Sequence, residues 1–261
     1  MFYSNGAYSL FKVDTPIISG GSTPSYQNQY SLTFDGVDDY VSMGNVLNMA
    51  DDGTDAFSMS LWFKTTSTST QMLMSKQINV SHYNGYNLYM SANRFKFHLG
   101  TLQFGSQVIQ GQTGLNGSIT DGNWHNVILT YDGSQDISGF NLYYDNSNTT
   151  IFTITNNTPS NISNTADFNI SGRGSGALVF SGTIDEASFF NTELSASDVS
   201  TIFGTGVPND ISSLSPVGWW RMGENGTWNG SKWLLTDQES GANDGNGLNM
   251  AEANRTTDVP T

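Results

Sequence analysis

Apolar and polar residues alternate with a period of two over much of this 261-residue chain. In the segment Ala56–Lys64 (AFSMSLWFK), every second residue from Phe57 to Phe63 is apolar. Successive side chains of a β-strand point to opposite faces, so this alternation predicts a strand with one buried face. Turn-forming pairs such as Asn84-Gly85 and Asp132-Gly133 separate such segments, which is typical of an antiparallel sandwich.

Eight further segments have the pattern of strands. They are Met72–Lys76, Tyr86–Met90, Arg94–Leu99, Trp124–Tyr131, Phe140–Tyr144, Ile151–Thr155, Asp167–Ile170 and Thr183–Phe190. One short helix is predicted at Ala196–Phe203, because Ser195 can cap it and Asp198 lies near the positive end of its dipole. The pattern therefore predicts an all-β sandwich of two antiparallel sheets with one short helix.

Composition narrows the class of protein. The net charge is -14, and such an acidic surface repels phosphate backbones, so nucleic-acid binding is not expected. There is no Cys, which excludes disulfides, thiolate catalysis and cysteine-ligated zinc. Absence of Cys is typical of bacterial or viral proteins that fold in a reducing cytoplasm. No run of 18 apolar residues occurs, so no membrane span is expected, and the first residues lack the pattern of a signal peptide.

Three segments resemble the laminin-G-like branch of the concanavalin A-like jelly-roll proteins, and they occur in the order found in that family. They are SLTFDGVDDYVSM at Ser31–Met43, GNWHNVILTYDG at Gly122–Gly133 and GTIDEASFF at Gly182–Phe190. The resemblance implies a concanavalin A-like jelly roll with one helix after its last main strand. It also implies a role in recognition or display. The C-terminal tail resembles that of laminin-G-like proteins of environmental bacteriophages.

Three regions are expected along the chain. Residues 1–29 form an aromatic N-terminal arm and linker, which would either be poorly ordered or pack on another subunit. Residues 30–206 form the jelly roll. Residues 207–261 contain PVGWWRMGENGTW, which resembles the segment that often precedes the first strand in this family. Here it follows the helix, so it would complete the sandwich from the other end or contact a neighbouring subunit.

Carboxylates are candidates for a metal site. The candidate ligands are Asp35, Asp38, Asp39 and Asp185. Oxygen ligands that converge on a sandwich rim suit Ca²⁺, and the resemblance implies that some relatives hold Ca²⁺ on the rim or the convex face. The alternative is turn chemistry, in which Asp35 and Asp39 accept hydrogen bonds from backbone amides. Asp185 would then pair with Arg173 or Arg221.

An enzyme is not expected. Glycoside hydrolysis requires two carboxylates at a fixed separation, which hydrolases of the same superfamily carry as Glu-x-Asp-x-x-Glu on one strand. The five Glu residues of this chain do not form that pattern. The three His residues lack zinc-binding spacing, and no Ser stands in a nucleophile-elbow context.

Aromatic residues are candidates for carbohydrate binding, because the chain has 15 Phe, 11 Tyr and 6 Trp. Aromatic rings match the apolar face of a pyranose, while Asn and Asp bind its hydroxyl groups. The candidate residues are Tyr83, Tyr86, Tyr89, Trp228 and Trp233. The alternative is that these side chains cover sandwich edges or subunit contacts.

Two functions follow from these observations. The first is a bacteriophage virion protein, of the capsid decoration or fibre type, that displays the jelly roll and a glycan-capable face. It would assemble in the bacterial cytoplasm as a homo-oligomer and contact other virion proteins through its arm. The second is a bacterial carbohydrate-binding or adhesion module, extracellular or on the cell surface, that depends on Ca²⁺.

Overall fold

The computed structural model describes residues 26–78, 82–102, 106–114, 119–239 and 243–261. Within these residues the chain forms eighteen strands and one α-helix. The first nine strands are β1 (Ser31–Asp35), β2 (Tyr40–Ser42), β3 (Phe57–Lys64), β4 (Gln71–Gln77), β5 (Gly85–Met90), β6 (Phe95–Thr101), β7 (Gln107–Thr113), β8 (Trp124–Tyr131) and β9 (Phe140–Tyr144). The others are β10 (Ser147–Asn148), β11 (Ile151–Asn156), β12 (Asn169–Ile170), β13 (Ser181–Phe190), β14 (Gly218–Trp220), β15 (Gly226–Trp228), β16 (Trp233–Leu235), β17 (Gly245–Leu248) and β18 (Arg255–Thr256). The helix, α1, is Ala196–Phe203.

The described strands form two antiparallel sheets, which confirms the predicted sandwich. In the first sheet the strand order is β10-β9-β8-β3-β13-β1-β18, and β14 also pairs with β13. In the second sheet the order is β11-β7-β6-β5-β4-β12-β2-β17-β16-β15. Several strands that are neighbours in a sheet are far apart in the sequence, for example β3 and β13 in the first sheet and β4 and β12 in the second. Such long connections are typical of a jelly roll.

The main core lies between the two sheets, and the period of two explains which side chains enter it. Phe57 and Phe63 of β3 point inward, as the sequence pattern predicts. Phe57 lies at the centre of an aromatic group, with its ring parallel to that of Phe189 at a centroid distance of 6.0 Å. The rings of Tyr131 and Phe140 stack at 4.2 Å beside it. Such contacts add to the burial of apolar area.

A second, smaller core lies on the outer face of the first sheet, beneath α1. The helix begins with a capping box, in which Ser195 Oγ accepts from the Asp198 amide and the Asp198 carboxylate accepts from the Ser195 amide. Val199 and Ile202 are its buried residues. They pack on Ile128 and other apolar residues of the first sheet. No helix among the described residues has the length and apolarity needed to cross a lipid bilayer.

Residues 207–261 contribute strands to both sheets. β14 and β18 pair with β13 and β1 in the first sheet, whereas β17 pairs with β2 in the second. Trp220 enters the main core, and its neighbour Trp219 lies on the opposite face with the second core. Of the predicted arm, residues 1–25 lie outside the described residues. Tyr26 stacks on Trp219 at a centroid distance of 6.3 Å.

Candidate functional site

A row of polar side chains crosses the outer face of the second sheet. Residues Leu88 and Phe97 point into the main core, so their neighbours in β5 and β6 point outward. In register order over seven strands, the row comprises Gln110, His98, Asn87, Ser75, Asn169, Ser42 and Asn246. A sheet face of this kind presents hydrogen-bonding groups instead of the apolar cover found on the first sheet.

A glycine-rich turn at residues 171–179 (SGRGSGALV) folds over this row. Arg173 and Ala177 exchange backbone hydrogen bonds of 2.8 and 3.0 Å, which closes the turn. Asn169 Nδ2 donates to the Gly174 carbonyl at 2.7 Å and ties the turn to the sheet. Gly176 has a φ of +93°, and a Cβ there would lie 3.0 Å from the Tyr40 ring. Glycine therefore permits both the conformation and the close approach.

A cavity of about 270 Å³ lies between this turn and strands β4 to β7. Its lining residues are Thr70, Met72, Gln77, Tyr83, Asn87, Tyr89, His98, Leu102, Gln110, Arg173 and Leu178. Two tyrosines thus face a set of amide side chains, one imidazole and one guanidinium. The cavity combines aromatic surface with convergent polar groups, which is the usual composition of a small-molecule site.

Gln77 orients the polar groups at one side of the cavity. Its Oε1 accepts hydrogen bonds from Asn87 Nδ2 at 2.9 Å and from Arg173 Nη1 at 3.2 Å. Its Nε2 donates to the Tyr83 carbonyl at 2.9 Å. The Arg173 guanidinium lies over the Tyr83 ring at 4.5 Å from the centroid, within the range of a cation–π contact. Arg173 is therefore held against the cavity wall by Gln77 and Tyr83.

His98 is a neutral component of the cavity. Burial lowers the pKa of His98 to about 4, so its imidazole is uncharged at neutral pH. The Nε2–H donates to the Gly100 carbonyl at 3.0 Å, since a carbonyl oxygen can only accept. Nδ1 is then the acceptor for Gln110 Nε2 at 3.2 Å. This pair of bonds fixes the tautomer and leaves no charge at this position.

Four buried polar atoms in this part of the structure have no hydrogen-bond partner within the protein. They are Asn87 Oδ1, Arg173 Nε, Ser75 Oγ and Asn169 Oδ1. Buried polar atoms are normally paired, and each orphaned one costs about 1–3 kcal/mol. The first two belong to side chains that line the cavity. The site is therefore complementary to a ligand with hydrogen-bonding groups and an apolar face.

The structure brings three of the four predicted metal ligands together. Oxygen atoms of Asp35, Asp38 and Asp39 lie within 4.8 Å of one another. However, Asp35 Oδ1 accepts from the Val37 amide at 2.7 Å, and Asp39 Oδ2 accepts from the Asp35 amide at 3.1 Å. These bonds are those of the turn-chemistry alternative.

Asp185 does not belong to that group. Asp35 pairs with Ser181, four residues before Asp185 in β13, so the backbone positions of Asp35 and Asp185 are offset by roughly 13 Å along the strand. Asp185 is followed by a bulge, in which Glu186 has a φ of +46°. The bulge brings Asp185 and Glu186 together with Glu224, with oxygen atoms within 4.8 Å of one another.

The second acidic group contains Asp185, Glu186 and Glu224, and Arg221 is its cationic partner. Arg221 Nε donates to Glu186 Oε1 at 2.9 Å. Asp185 instead accepts from Asn28 Nδ2 at 2.8 Å, so neither arginine proposed as its partner pairs with it. Burial raises the pKa of Asp185 well above its usual range. Burial also raises the pKa of Glu186, although Arg221 opposes that shift.

The five aromatic candidates do not form one platform. Tyr86 is 1% exposed in the main core, where its hydroxyl donates to the Leu47 carbonyl at 2.7 Å. Trp233 is equally buried, and Trp228 lies on β15, six strands from β5 in the sheet order. Tyr86 and Tyr89 are three residues apart in one strand, so they point to opposite faces. Of the five, Tyr83 and Tyr89 line the cavity.

The sequence interpretation missed several residues of the cavity. Gln77, Asn87 and His98 occupy outward positions of adjacent strands, and their alternation with apolar residues was a usable signal. Arg173 was considered as a partner of Asp185 alone. Its position between glycines, in a chain with 9 Lys and Arg against 23 Asp and Glu, was the second signal.

The fold defines a class, the β-sandwich jelly rolls, and comparison with known proteins narrows it. The family model Laminin_G_3, described as the concanavalin A-like lectin/glucanases superfamily, matches residues 35–200. This match covers well over half of the chain, so the chain belongs to that superfamily. The match confirms the family predicted from the sequence. Among proteins with curated functions, none matches the chain.

Three solved structures with a similar fold are distant from this chain in sequence. One is a Bacteroides ovatus protein provisionally called a carbohydrate binding protein, with a TM-score of 0.59 and 15% identity over 90% of this chain. The match spans 62% of that protein's own length. Others are domains LG4-5 of the mouse laminin alpha1 chain (TM-score 0.45, 15% identity, 75% of this chain and 48% of that one) and the CBM40 of a Ruminococcus gnavus sialidase (0.46, 16%, 68% and 100%). At such identities the likeness establishes the fold alone.

Proposed function

We propose that this chain is a glycan-binding module that acts outside the cell or on a surface, and that it binds without turning over its ligand. The ligand would occupy the cavity between β4–β7 and the turn at residues 171–179. The observation that carries this proposal is the pairing of Tyr83 and Tyr89 with Asn87 and Arg173, each of which has an orphaned buried atom.

Sugar chemistry fits this combination of groups. A pyranose ring has an apolar face that can pack on a tyrosine ring, and its hydroxyl groups both donate and accept hydrogen bonds. Asn87 Oδ1 requires a donor and Arg173 Nε requires an acceptor. The cavity, at about 270 Å³, is near the lower end of the range for small-molecule sites, roughly 300 Å³. It would hold one sugar residue, with the rest of the glycan outside.

Membership of a superfamily that includes lectins is consistent with this function. The Bacteroides ovatus protein with the same fold, provisionally called a carbohydrate binding protein, adds support of the same kind. Fold does not fix function, however, so the proposal depends on the site.

A glycan array with the full chain, followed by calorimetry with a glycan that binds, tests the proposal. We expect Tyr89→Ala and Gln110→Ala to weaken binding, because both side chains line the cavity. Trp228→Ala is the control, since it removes an aromatic candidate six strands away. A blank array, or binding that is lost only in the Trp228 variant, would contradict the proposed site.

Three finer assignments stay predictions. The array run with Ca²⁺ and again with a chelator tests whether binding needs the metal, for which Asp35, Asp38 and Asp39 are the grouped candidates. Placement on a bacteriophage particle, as a capsid decoration or fibre protein, is tested by mass spectrometry of purified particles. Homo-oligomer formation through the arm is tested by the solution mass of the chain with and without residues 1–29.

A further inference from the structure

We propose that the cavity is selective for glycans that carry a carboxylate, as uronic acids do, and that Arg173 binds this carboxylate. The inference rests on the glycan-binding function proposed above, and it names the class of sugar. It follows from the lack of acidic side chains near Arg173 among the described residues.

Arg173 has no acidic partner among the described residues. Two other cations do have one: Lys64 lies 2.8 Å from Asp258, and Arg221 lies 2.9 Å from Glu186. The buried Lys76 instead donates to two neutral oxygen atoms, at 2.7 and 2.8 Å, whereas the Arg173 guanidinium lines an open cavity. The hydrogen-bond partner of the Arg173 guanidinium is the neutral amide of Gln77, at 3.2 Å. Its ring contact is the face of Tyr83. A partly buried cation without a counter-ion is unfavourable, so the partner that would stabilise Arg173 is an anion.

The cavity itself supplies no negative charge. No Asp or Glu is found among its lining residues in the described part of the chain. Distant surface carboxylates are screened beyond about 8 Å at physiological salt, so the local guanidinium dominates the field in the cavity.

The neutral groups of the cavity fit the remainder of an acidic sugar. Asn87 Oδ1 is an unpartnered acceptor, and a carboxylate could not satisfy it, whereas a sugar hydroxyl could. The buried imidazole of His98 is neutral, with one ring nitrogen bonded to the Gly100 carbonyl and the other to Gln110, so it adds no second cation. One cation beside several neutral groups is suited to a sugar that has one carboxylate and several hydroxyl groups. The planar guanidinium matches a carboxylate in shape.

Calorimetry on the full chain with matched ligands tests this selectivity. The probes are a galacturonic acid oligosaccharide, its methyl ester, the corresponding galactose oligosaccharide and a sulfated galactose oligosaccharide. We expect the free acid to bind roughly tenfold or more tightly than the ester and the neutral sugar, since charge-assisted hydrogen bonds are about twice as strong as neutral ones. The ester is the sharpest comparison, because it removes the charge and keeps the ring.

Variants of Arg173 link the selectivity to this side chain. Arg173→Gln should abolish the preference for the free acid, so that the acid, the ester and the neutral sugar bind with similar affinity. Arg173→Lys keeps the positive charge but loses the paired N–H donors of the guanidinium, so it should retain part of the preference. This variant also tests the assignment if Arg173→Gln does not fold. Lys96→Gln is the matched control, because it removes one positive charge from β6 at a residue outside the cavity lining.

The outcomes separate this inference from the function on which it rests. If the neutral sugar and the ester bind as well as the acid, the selectivity is wrong and glycan binding stands. If the sulfated sugar alone is preferred, the carboxylate assignment is wrong. If Lys96→Gln removes the preference as fully as Arg173→Gln, the effect belongs to net charge and the assignment to Arg173 is wrong. If none of the sugars binds and the array is blank, the glycan-binding function itself fails.

Discussion

Replacing Arg221 by Met should destabilise the protein by about 4 kcal/mol at pH 7. Arg221 pairs with Glu186 at 2.9 Å, and the two side chains are only 13% and 5% exposed. Removing one partner of a buried ion pair costs about 3–5 kcal/mol, because the remaining charge stays buried. The Arg221 guanidinium also lies 4.3 Å from the centroid of the Tyr26 ring. Loss of this cation–π contact adds roughly 0.5–1 kcal/mol, the value for a solvent-exposed contact.

The acidic neighbours make this loss dependent on pH. Burial raises the folded-state pKa values of Asp185 and Glu186, so the contribution of these groups to stability is present below their unfolded pKa values, near 4. It is lost as the pH rises through the folded values. Without Arg221 the pKa of Glu186 would rise further. The difference in unfolding free energy between wild type and Arg221→Met should therefore be smaller at pH 4 than at pH 7.

Urea denaturation at pH 4 and pH 7 measures both effects. The control is Lys64→Met, which removes an exposed pair with side chains 32% and 46% exposed and should cost less than about 1 kcal/mol. A double variant with Glu186→Gln should recover part of the loss, because the uncompensated charge is removed. A cost below about 1 kcal/mol for Arg221→Met at pH 7, or a larger cost at pH 4, would refute the reasoning.

Three further predictions concern other parts of the structure. Burial alone would lower the pKa of His125, but hydrogen bonds and charge from Asp145 and Asp121 raise it overall. The stability that His125 contributes is therefore present below its unfolded pKa, about 6.5, and is lost as the pH rises through the folded value. Thermal melts of His125→Gln should show its largest deficit near pH 5.5 and a smaller one at pH 9. Ser195→Ala should cost about 1 kcal/mol in chemical denaturation, through loss of the capping box. Gly176→Ala should weaken glycan binding, measured by calorimetry, more than the removal of Trp228 does, because it displaces the turn that carries Arg173.

Local patterns were enough to predict the helix and nine of the eighteen described strands, but not β7 or the short strands of residues 207–261. The predicted bounds of Trp124–Tyr131 and Ala196–Phe203 coincide with β8 and α1. Both segments carry their own signals, which are alternation that ends at Asp132-Gly133 for the strand and the Ser195 cap for the helix. The two-sheet arrangement followed from the same period of two together with the family resemblance.

The candidate site was harder to predict because it depends on contacts between distant segments. The turn that carries Arg173 crosses strands β4 and β5, which lie some 80 to 100 residues earlier in the chain. The bulge at Glu186 changes which side chains of β13 point to each face of the sheet. No residue pattern in GTIDEASFF predicts this bulge. Tyr86 was different, since its separation from Tyr89 already placed the two on opposite faces of one strand.

The two outer faces of the sandwich differ in a way that limits where a ligand can bind. On the first sheet, Ile128 and Phe190 point outward and are covered by α1 and Trp219, so that face is closed by the chain itself. On the second sheet, the outward residues of β4 to β7 are mainly polar, and the turn at residues 171–179 covers part of them. An open apolar face would need a cover to be stable in water, whereas a polar face can remain accessible. The same alternation that fills the main core therefore leaves the second sheet as the accessible polar face. In the function that we propose, Arg173 adds to this face the charge that would distinguish acidic sugars from neutral ones.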